Sequence, residues 1–372
     1  MRVSRYVGST GMRAAAFVAL SVALPVVCSA RAEAHGATNT PASNYVSRVL
    51  AVTPAADGFS VKVVEAGNRL EVSWRSGPEI VINDYDDHPY LRIGRTGAFE
   101  NRQSNAVYLN ADRRGATTIP PGLRPEGSPE WRKLSSSPVV RFHDHRVHWM
   151  GTSPPPQVQA ERGRKHLIQT WAVPISRGTA SFIVSGDLRW VPGPSPIPPL
   201  AAAGALGLLL VGAVVMSARR GRSRLALVLF SLMLGTLVFV DAIHLFGIAF
   251  GVKGGSGFGR VVSIGWVSLV AWVVALLTIV ALRGQRMDAL YVGVFAAGIV
   301  TLVGGLSDIG VLSSSSLPFA FSNGVARASI AITLGLGIAT VIAGVMLTGN
   351  LGRPNQRAAA PVDPGTLDVT PS

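Results

Sequence analysis

The sequence predicts a secreted all-β, sandwich-like domain followed by an α-helical transmembrane bundle of five helices. Three observations predict it: an N-terminal secretion signal, alternating apolar and polar residues up to about residue 190, and long apolar runs beyond that point. Of the 372 residues, 15% are charged and 48% are hydrophobic, and the mean hydropathy is +0.37. Soluble domains are usually about 25% charged. The composition therefore excludes a wholly soluble enzyme and a disordered chain.

Residues 1–34 are predicted to be a signal peptide, because a positively charged start precedes the apolar run 14–27 and the small-residue site Ala32-Glu33-Ala34. That run is short for a span of roughly 20 residues, which favours cleavage over an uncleaved anchor. The single cysteine, Cys28, falls inside this segment, so we expect no thiol chemistry in the mature chain. Cleavage after Ala34 makes His35 the first mature residue, which offers an amino nitrogen and an imidazole to one metal ion.

Residues 35–190 are predicted to form the extracytoplasmic β domain, since they carry 19 Lys+Arg, 14 Asp+Glu and no long apolar run. Apolar and polar residues alternate at 59–63, 70–74 and 80–82, and Gly67-Asn68 between the first two runs predicts a hairpin turn. Further strands are predicted at 89–94, 105–110, 138–149, 166–174 and 179–189. We expect no helix in this domain.

A stiff, proline-rich linker is predicted at 191–199, and the five-helix transmembrane domain at 200–349. Each apolar segment is long enough to cross the hydrocarbon core, and in lipid the backbone must satisfy its own hydrogen bonds as helix. The predicted spans are 200–218, 225–250, 261–282, 289–309 and 328–348.

The distribution of basic residues predicts the orientation of these spans. Eight arginines lie in two loops and the tail on one side, whereas the other side has only Lys253, Arg260 and Arg327. The positive-inside rule therefore places the β domain outside a plasma membrane and the tail, residues 350–372, in the cytoplasm as a disordered segment. The formal net charge of +14 follows from this topology, so we expect lipid contact and no nucleic-acid partner.

Histidines are concentrated in the predicted external domain, and three of them fall within 143–148. In a strand, His143 and His145 share one face, with Cβ atoms roughly 6–7 Å apart, while Asp144 and His148 point the other way. Two imidazoles so placed bind one metal ion, and without cysteine the expected ion is copper, with zinc as the alternative. The candidate metal ligands are His35, His143, His145, His148 and His88.

Other interpretations of these residues stay open. The histidine segment also fits a structural hydrogen-bonded network in which Asp144 and Arg146 form ion pairs. The acidic segment 84–90 is favoured as a solvated turn before a strand, because Asp and Pro dominate turns, and the alternative is that His88 or Asp87 supplies a metal ligand.

Ionisable residues inside apolar spans are candidates for function because their burial in lipid is costly. All of those found here lie towards the outer ends of their spans, so we expect one polar cluster beneath the β domain. Either this cluster accepts a metal ion or a proton, or it is structural. In the structural case Asp308 forms an ion pair with Arg327, and Asp241 orients His244. The residues are Asp241, His244, Asp308 and Arg327.

The order of parts resembles the bacterial copper-resistance proteins of the CopC/CopD type. The resemblance covers the signal peptide, His35 as first mature residue, the turn-like segment 52–58 and a multi-span domain after the β domain. It implies a β-sandwich whose N-terminal histidine binds copper.

These features predict a polytopic plasma-membrane protein with a copper-binding external β domain, active in metal handling or transport. The second hypothesis is a non-catalytic envelope-interaction or sensor module anchored by the helices, with protein partners that the sequence does not identify. A membrane enzyme is the third; it requires Asp241, His244 and Asp308 to converge on a cavity. Since no Ser/His/Asp or paired-carboxylate signature is evident, the sequence favours a non-enzymatic role.

Overall fold

A computed structural model of the chain describes residues 42–111, 117–252 and 256–351. It confirms the predicted fold class: an antiparallel, sandwich-like β region is followed by five helices that are long and apolar enough to cross a membrane. The predicted signal peptide (1–34) and His35 lie outside the described residues, as does the tail beyond residue 351.

The β domain contains ten strands in the described residues. They are β1 (Tyr45–Thr53), β2 (Phe59–Val64), β3 (Arg69–Trp74), β4 (Ile80–Asn83), β5 (Pro89–Gly94), β6 (Gly97–Asn101), β7 (Trp131–Ser135), β8 (Val139–Phe142), β9 (His166–Arg177) and β10 (Ala180–Trp190). Seven form one sheet in the order β1-β10-β9-β4-β5-β6-β7, and β2-β3-β8 form a second sheet.

Alternation along the strands builds the core between the two sheets. Leu70 and Val72 on β3 are buried, as are Ile80 and Ile82 on β4 and Val184 on β10. Because side chains on a strand alternate faces, β3 and β4 each supply every second residue to this core, and the residues between them are half-buried. The predicted hairpin is present: β2 and β3 pair from Phe59↔Trp74 to Val64↔Arg69 around a turn at Glu65–Gly67.

Two predicted strands are wrong in part. Residues 105–110 hold a short helix, α1 (Ala106–Leu109), because the Ser104 hydroxyl accepts from the Ala106 amide (3.2 Å) at the helix start. A second short helix, α2 (Pro156–Ala160), begins at the last of three consecutive prolines. The prediction that this domain has no helix was therefore also wrong.

The strand predicted at 138–149 ends at Phe142, and the residues after it turn. The cause is Asp144, whose side chain accepts a hydrogen bond from the Arg146 amide (3.0 Å) and whose carbonyl accepts from the Val147 amide (3.0 Å). This local side-chain bond competes with strand pairing. The histidines of this segment therefore do not follow the period of a strand.

The helical part consists of long apolar helices. Four of them extend beyond the predicted spans at both ends, whereas the fourth along the chain ends within its predicted span, 289–309. They are α3 (Ile197–Arg219), α4 (Ser223–Gly251), α5 (Gly257–Arg283), α6 (Ala289–Val300) and α7 (Asn323–Leu351). Since α3 begins at Ile197, the proline-rich linker is three residues shorter than predicted. A π-helical turn, Thr301–Leu306, continues α6, and a 3-10 turn, Ile309–Ser313, follows it.

Small residues let these helices approach one another closely, as is common in membrane bundles. Gly335 on α7 lies against the backbone of Ala203 on α3, and Gly293 on α6 lies against Phe230 on α4. A Cβ atom at Gly304 in the π-helical turn would overlap the Asp241 carboxylate of α4. The bundle interior is therefore too tightly packed at this level to admit a larger residue.

The β domain contacts the bundle directly. Ser43 and Ser316 form a two-way backbone bridge (3.0 and 2.8 Å), and the Ser315 amide donates to the Asn44 side chain (2.9 Å). Next to this bridge, the Ser316 hydroxyl donates to the Ala66 carbonyl in the β2–β3 turn (3.2 Å). The domain thus rests on the segment that connects α6 to α7.

Candidate functional site

The turn after β8 brings three histidines together. The ring centroids of His143 and His148 are 6.5 Å apart, and those of His145 and His148 are 5.5 Å apart. The prediction that His148 points away from the other two was wrong, because the segment turns at Asp144 instead of continuing as a strand. We call this group the histidine cluster.

Arg146 holds the turn in place. Its guanidinium donates two hydrogen bonds to the fully buried Asp144 carboxylate (2.9 and 2.7 Å). It also donates to the Asn83 and Asp84 carbonyls, both at 3.2 Å. Burial lowers the pKa of Arg146, but the hydrogen bonds and the charge of Asp144 outweigh it, so the net pKa lies above its usual value. The predicted Asp144–Arg146 ion pair is present, and it ties the histidine segment to the loop after β4.

Tyr85 joins the same two loops. Its hydroxyl accepts a hydrogen bond from the His145 amide (3.0 Å) and donates to Asn110, and its ring lies 6.2 Å from the His145 ring. Burial, with the nearby Asp144 charge, raises the pKa of Tyr85 above its usual value. The neutral phenol is therefore the stable form, and it can donate and accept at once.

His143 is oriented by two hydrogen bonds. Its Nδ1–H donates to the Asn68 carbonyl (3.0 Å), and its Nε2 accepts from Nε of Arg69 (3.3 Å). A backbone carbonyl on one ring nitrogen is the usual way in which a metal-binding imidazole is held. A metal ion on Nε2 would have to displace Arg69, whose guanidinium is about one-third exposed and has room to move.

Among the described residues, the loop after β4 is the one place where three ligand atoms lie close enough together to hold a metal ion. One ligand atom from each of Asp84, Asp86 and His88 lies within 4.8 Å of the other two. Asp84 is buried and also shapes the loop, since it accepts from the Asp86 amide (3.0 Å), the His88 amide (2.9 Å) and the Ser104 hydroxyl (2.8 Å). The predicted turn and the alternative role of His88 are therefore compatible, and we call this group the Asp-Asp-His group.

The histidine cluster lies at the end of the β domain that contacts the bundle. Asn68, which holds His143, directly follows the Glu65–Gly67 turn that Ser316 contacts. On the other side of the cluster, Trp149 stacks on Tyr45 (6.4 Å, 18°), two residues from the Ser43 bridge. Candidate ligands therefore lie next to the junction of the two parts.

Glu65 lies at this junction, and charges from both parts of the chain act on it. It is buried, has a left-handed backbone (φ 54°) and forms a 3.4 Å ion pair with Arg69. Burial raises its pKa, although the charges of Arg69, Arg141 and Arg260 oppose the shift. Since Arg260 belongs to α5, the bundle contributes to the electrostatics of this β-domain turn.

The bundle holds a polar cluster below the junction. His244 contacts Asp308 through Nε2 (3.0 Å) and Ser329 through Nδ1 (3.1 Å), and Trp272 donates to Asp241 (2.7 Å). Asp241 and His244 are almost fully buried, whereas the Asp308 side chain is 17% exposed. The expected Asp308–Arg327 ion pair was wrong: Asp308 contacts His244, and Arg327 donates instead to the Ser314 carbonyl (2.7 Å).

The Ser329 hydroxyl holds the His244 ring in place. It lies within hydrogen-bond distance of both the Ala326 carbonyl (2.8 Å) and Nδ1 of His244 (3.1 Å). The other ring nitrogen, Nε2, therefore faces Asp308 (3.0 Å).

Several residues of these sites were not predicted. Asn68, Arg69 and Tyr85 contact the histidine cluster through pairings distant in sequence, and no local pattern marks them. Trp272 and Ser329 are neutral residues within apolar spans and did not stand out beside the ionisable ones. Only the Gly304-Gly305 pair, which admits the Asp241 carboxylate, could have been noticed in the sequence.

Comparison with known proteins adds no assignment: no protein family, no curated protein and no solved structure matches this chain.

Proposed function

We propose that this chain is a polytopic plasma-membrane protein whose extracytoplasmic β domain binds a metal ion, with copper as the first candidate and zinc as the second. The observation that carries the proposal is the concentration of ligand-type side chains in two loops that Tyr85 and Arg146 hold together. One loop supplies the histidine cluster and the other the Asp-Asp-His group.

The ligand atoms of the two groups are of the types that copper and zinc both bind. Imidazole nitrogens, with carboxylate oxygens completing a tetragonal set, suit Cu(II), whereas Zn(II) takes the same ligands in a tetrahedral arrangement. The orientation of His143 by a backbone carbonyl supports its role as a ligand. The proposed N-terminal ligand, His35, and the resemblance to CopC/CopD-type proteins add to the case for copper.

The position of the site supports a role in metal handling or transport. The histidine cluster adjoins the junction, and the segment there leads through the Ile309–Ser313 turn to Asp308 and His244. In this proposal the β domain captures the ion, and the Asp308–His244 pair exchanges a proton as the ion arrives or leaves. Ligands must lose their protons when a metal ion binds, so ion binding in the β domain is coupled to proton release.

Metal titration of the purified full-length chain in detergent, with its native processed N-terminus, tests the proposal. The probes are Cu(II) and Zn(II), followed by calorimetry and, for copper, by electron paramagnetic resonance. Two variants separate the ligand sets: His143→Ala/His145→Ala/His148→Ala and Asp86→Asn/His88→Ala. His166→Ala is the matched control, because His166 lies in the same domain and bonds to the Glu161 carbonyl (2.8 Å), outside both groups.

We expect one of the two ligand-set variants to lose roughly 100-fold or more in affinity, while the control stays within about twofold. Equal affinity in all four proteins would refute the proposal. A loss confined to one variant identifies the ligands.

The interaction or sensor module remains the second candidate function. Dispersed histidines would favour it, and the gathering of three imidazoles in one turn counts against it. The membrane-enzyme hypothesis needs Asp241, His244 and Asp308 around one cavity, whereas Asp241 contacts Trp272 and His244 contacts Asp308.

A further inference from the structure

A groove of about 860 Å³ runs between α4 and α5 in the half of the bundle away from the β domain. Its wall is mostly apolar and comes from both helices, with Val228, Leu232 and Phe239 on α4 and Ile279 on α5. These three α4 side chains are exposed. Gly235 lies in the middle of the groove, where a Cβ atom would be in ordinary van der Waals contact with Ile279 (3.6 Å), so a longer side chain at this position would occupy the groove.

The groove has a polar, positively charged end. Arg224 lies at the start of α4, Arg283 at the end of α5, and Gln285 just beyond it, and all three line the groove and are exposed. Within the part of the chain that the structure describes, neither arginine forms an ion pair with a carboxylate. Two guanidinium groups beside an amide thus form an anion-binding rim on an apolar slot.

We propose that this groove is a binding site for one anionic phospholipid, whose phosphate contacts Arg224 and Arg283 and whose acyl chain lies along the α4–α5 slot. The charge pattern supports this occupant, since the arginines lie only at the rim and the wall between the helices is uncharged and mostly apolar. A protein helix in the slot would instead need apolar contacts along its whole length. The proposal requires that the helices cross a bilayer, and it does not depend on metal binding.

The dimensions agree with a lipid of one leaflet. From Arg224 to Phe239, α4 rises about 22 Å at 1.5 Å per residue. This length equals about half of the roughly 30 Å hydrocarbon core together with the headgroup region of one leaflet. Under the expected orientation the rim lies in the cytoplasmic leaflet, where anionic lipids attract basic clusters between helices.

Native mass spectrometry of the full-length chain in detergent tests the site, with dioleoyl phosphatidylglycerol and dioleoyl phosphatidylcholine as probes. We expect one phosphatidylglycerol to stay bound, and Arg224→Gln/Arg283→Gln to weaken it roughly 30-fold. The matched control is Arg219→Gln/Arg222→Gln, which removes the same charge from arginines of the adjoining loop that do not line the groove. It should stay within about threefold of the unmodified chain.

A second pair of variants tests the slot separately from the charge. Gly235→Leu fills the groove and should release the lipid, whereas Gly298→Leu projects into open space on α6 and should not. Inorganic phosphate should not displace the lipid, because it cannot use the apolar wall. Any of three outcomes would overturn the proposal. The two lipids could be retained equally, the two double-arginine variants could lose lipid equally, or inorganic phosphate could displace the lipid.

Discussion

The β domain and the helical bundle stabilise their buried carboxylates in different ways. In the β domain, Asp144 pairs with Arg146, and Asp187 pairs with Arg48 and Arg189. In the bundle, Asp241 contacts the Trp272 indole and Asp308 contacts His244. An arginine keeps its proton under all ordinary conditions, whereas a histidine beside a carboxylate shares one. Asp144 and Asp187 in the domain therefore face permanent charges, whereas Asp308 in the bundle faces an imidazole, a group that can gain or lose a proton.

The largest effect expected from this comparison follows from removing the same charge in each part. Asp144→Asn leaves Arg146, which is mostly buried, without its counter-charge and should destabilise the β domain by about 3–5 kcal/mol. Asp241→Asn keeps an oxygen that accepts from the Trp272 indole, so it should cost about 1 kcal/mol. Thermal unfolding of the full chain, followed by far-UV circular dichroism, measures both. Similar shifts for the two variants would contradict the distinction.

The next effect concerns packing around the buried acid in the bundle. Gly304→Ala places a methyl group where the Asp241 carboxylate lies and should destabilise the bundle by about 2 kcal/mol. Gly298→Ala is the control, because a Cβ atom there meets open space, and it should be neutral or slightly stabilising. The shift in unfolding temperature should differ in direction or size between the two. A neutral Gly304→Ala would show that Asp241 is not confined.

A smaller effect is expected for the link between the two candidate loops. Tyr85→Phe removes the acceptor for the His145 amide and should cost about 1–2 kcal/mol in β-domain stability. If both loops contribute to one metal site, the same variant should weaken copper binding by up to roughly 10-fold, as loss of an outer contact does. Calorimetric titration measures this. Unchanged affinity with reduced stability would assign Tyr85 a structural role alone.

The smallest effect is a pH dependence at the junction. Because burial raises the pKa of Glu65 in the folded chain, the stability linked to its protonated form is lost as pH rises through that folded pKa. Glu65→Gln should therefore stabilise the chain at about pH 7, on the order of 1 kcal/mol, and hardly affect it at about pH 4. Unfolding temperatures at the two pH values provide the check. Equal shifts at both would exclude the carboxyl group as the cause.

The fold was predictable because its signals are local. Alternation in 70–74 and 80–82, and apolar runs longer than a membrane is thick, need no knowledge of distant contacts. The prediction failed at 105–110 and after Phe142, where Ser104 and Asp144 form side-chain bonds to the backbone that outweigh the apolar pattern.

The candidate site was predictable only in part. Histidine spacing identified the right segment, but the face assigned to His148 depended on a strand that is absent there. His88 lies close to Asp84 and Asp86 because of the way the loop folds. The contact between Trp272 and Asp241 depends on how two helices pack. The spacing of residues in the sequence predicts neither contact. The signal peptide, the role of His35 and the orientation stay predictions.

The attachment of the β domain at two places has a mechanical consequence. The strand bridge between Ser43 and Ser316 fixes one end of the domain, and the bond from the Val191 amide to the Asn44 carbonyl (2.8 Å) fixes the start of the connector beside it. Together with the Ser316–Ala66 bond, these anchors hold the turn before Asn68 against the segment that connects α6 to α7. The histidine cluster next to that turn is therefore held close to the helices.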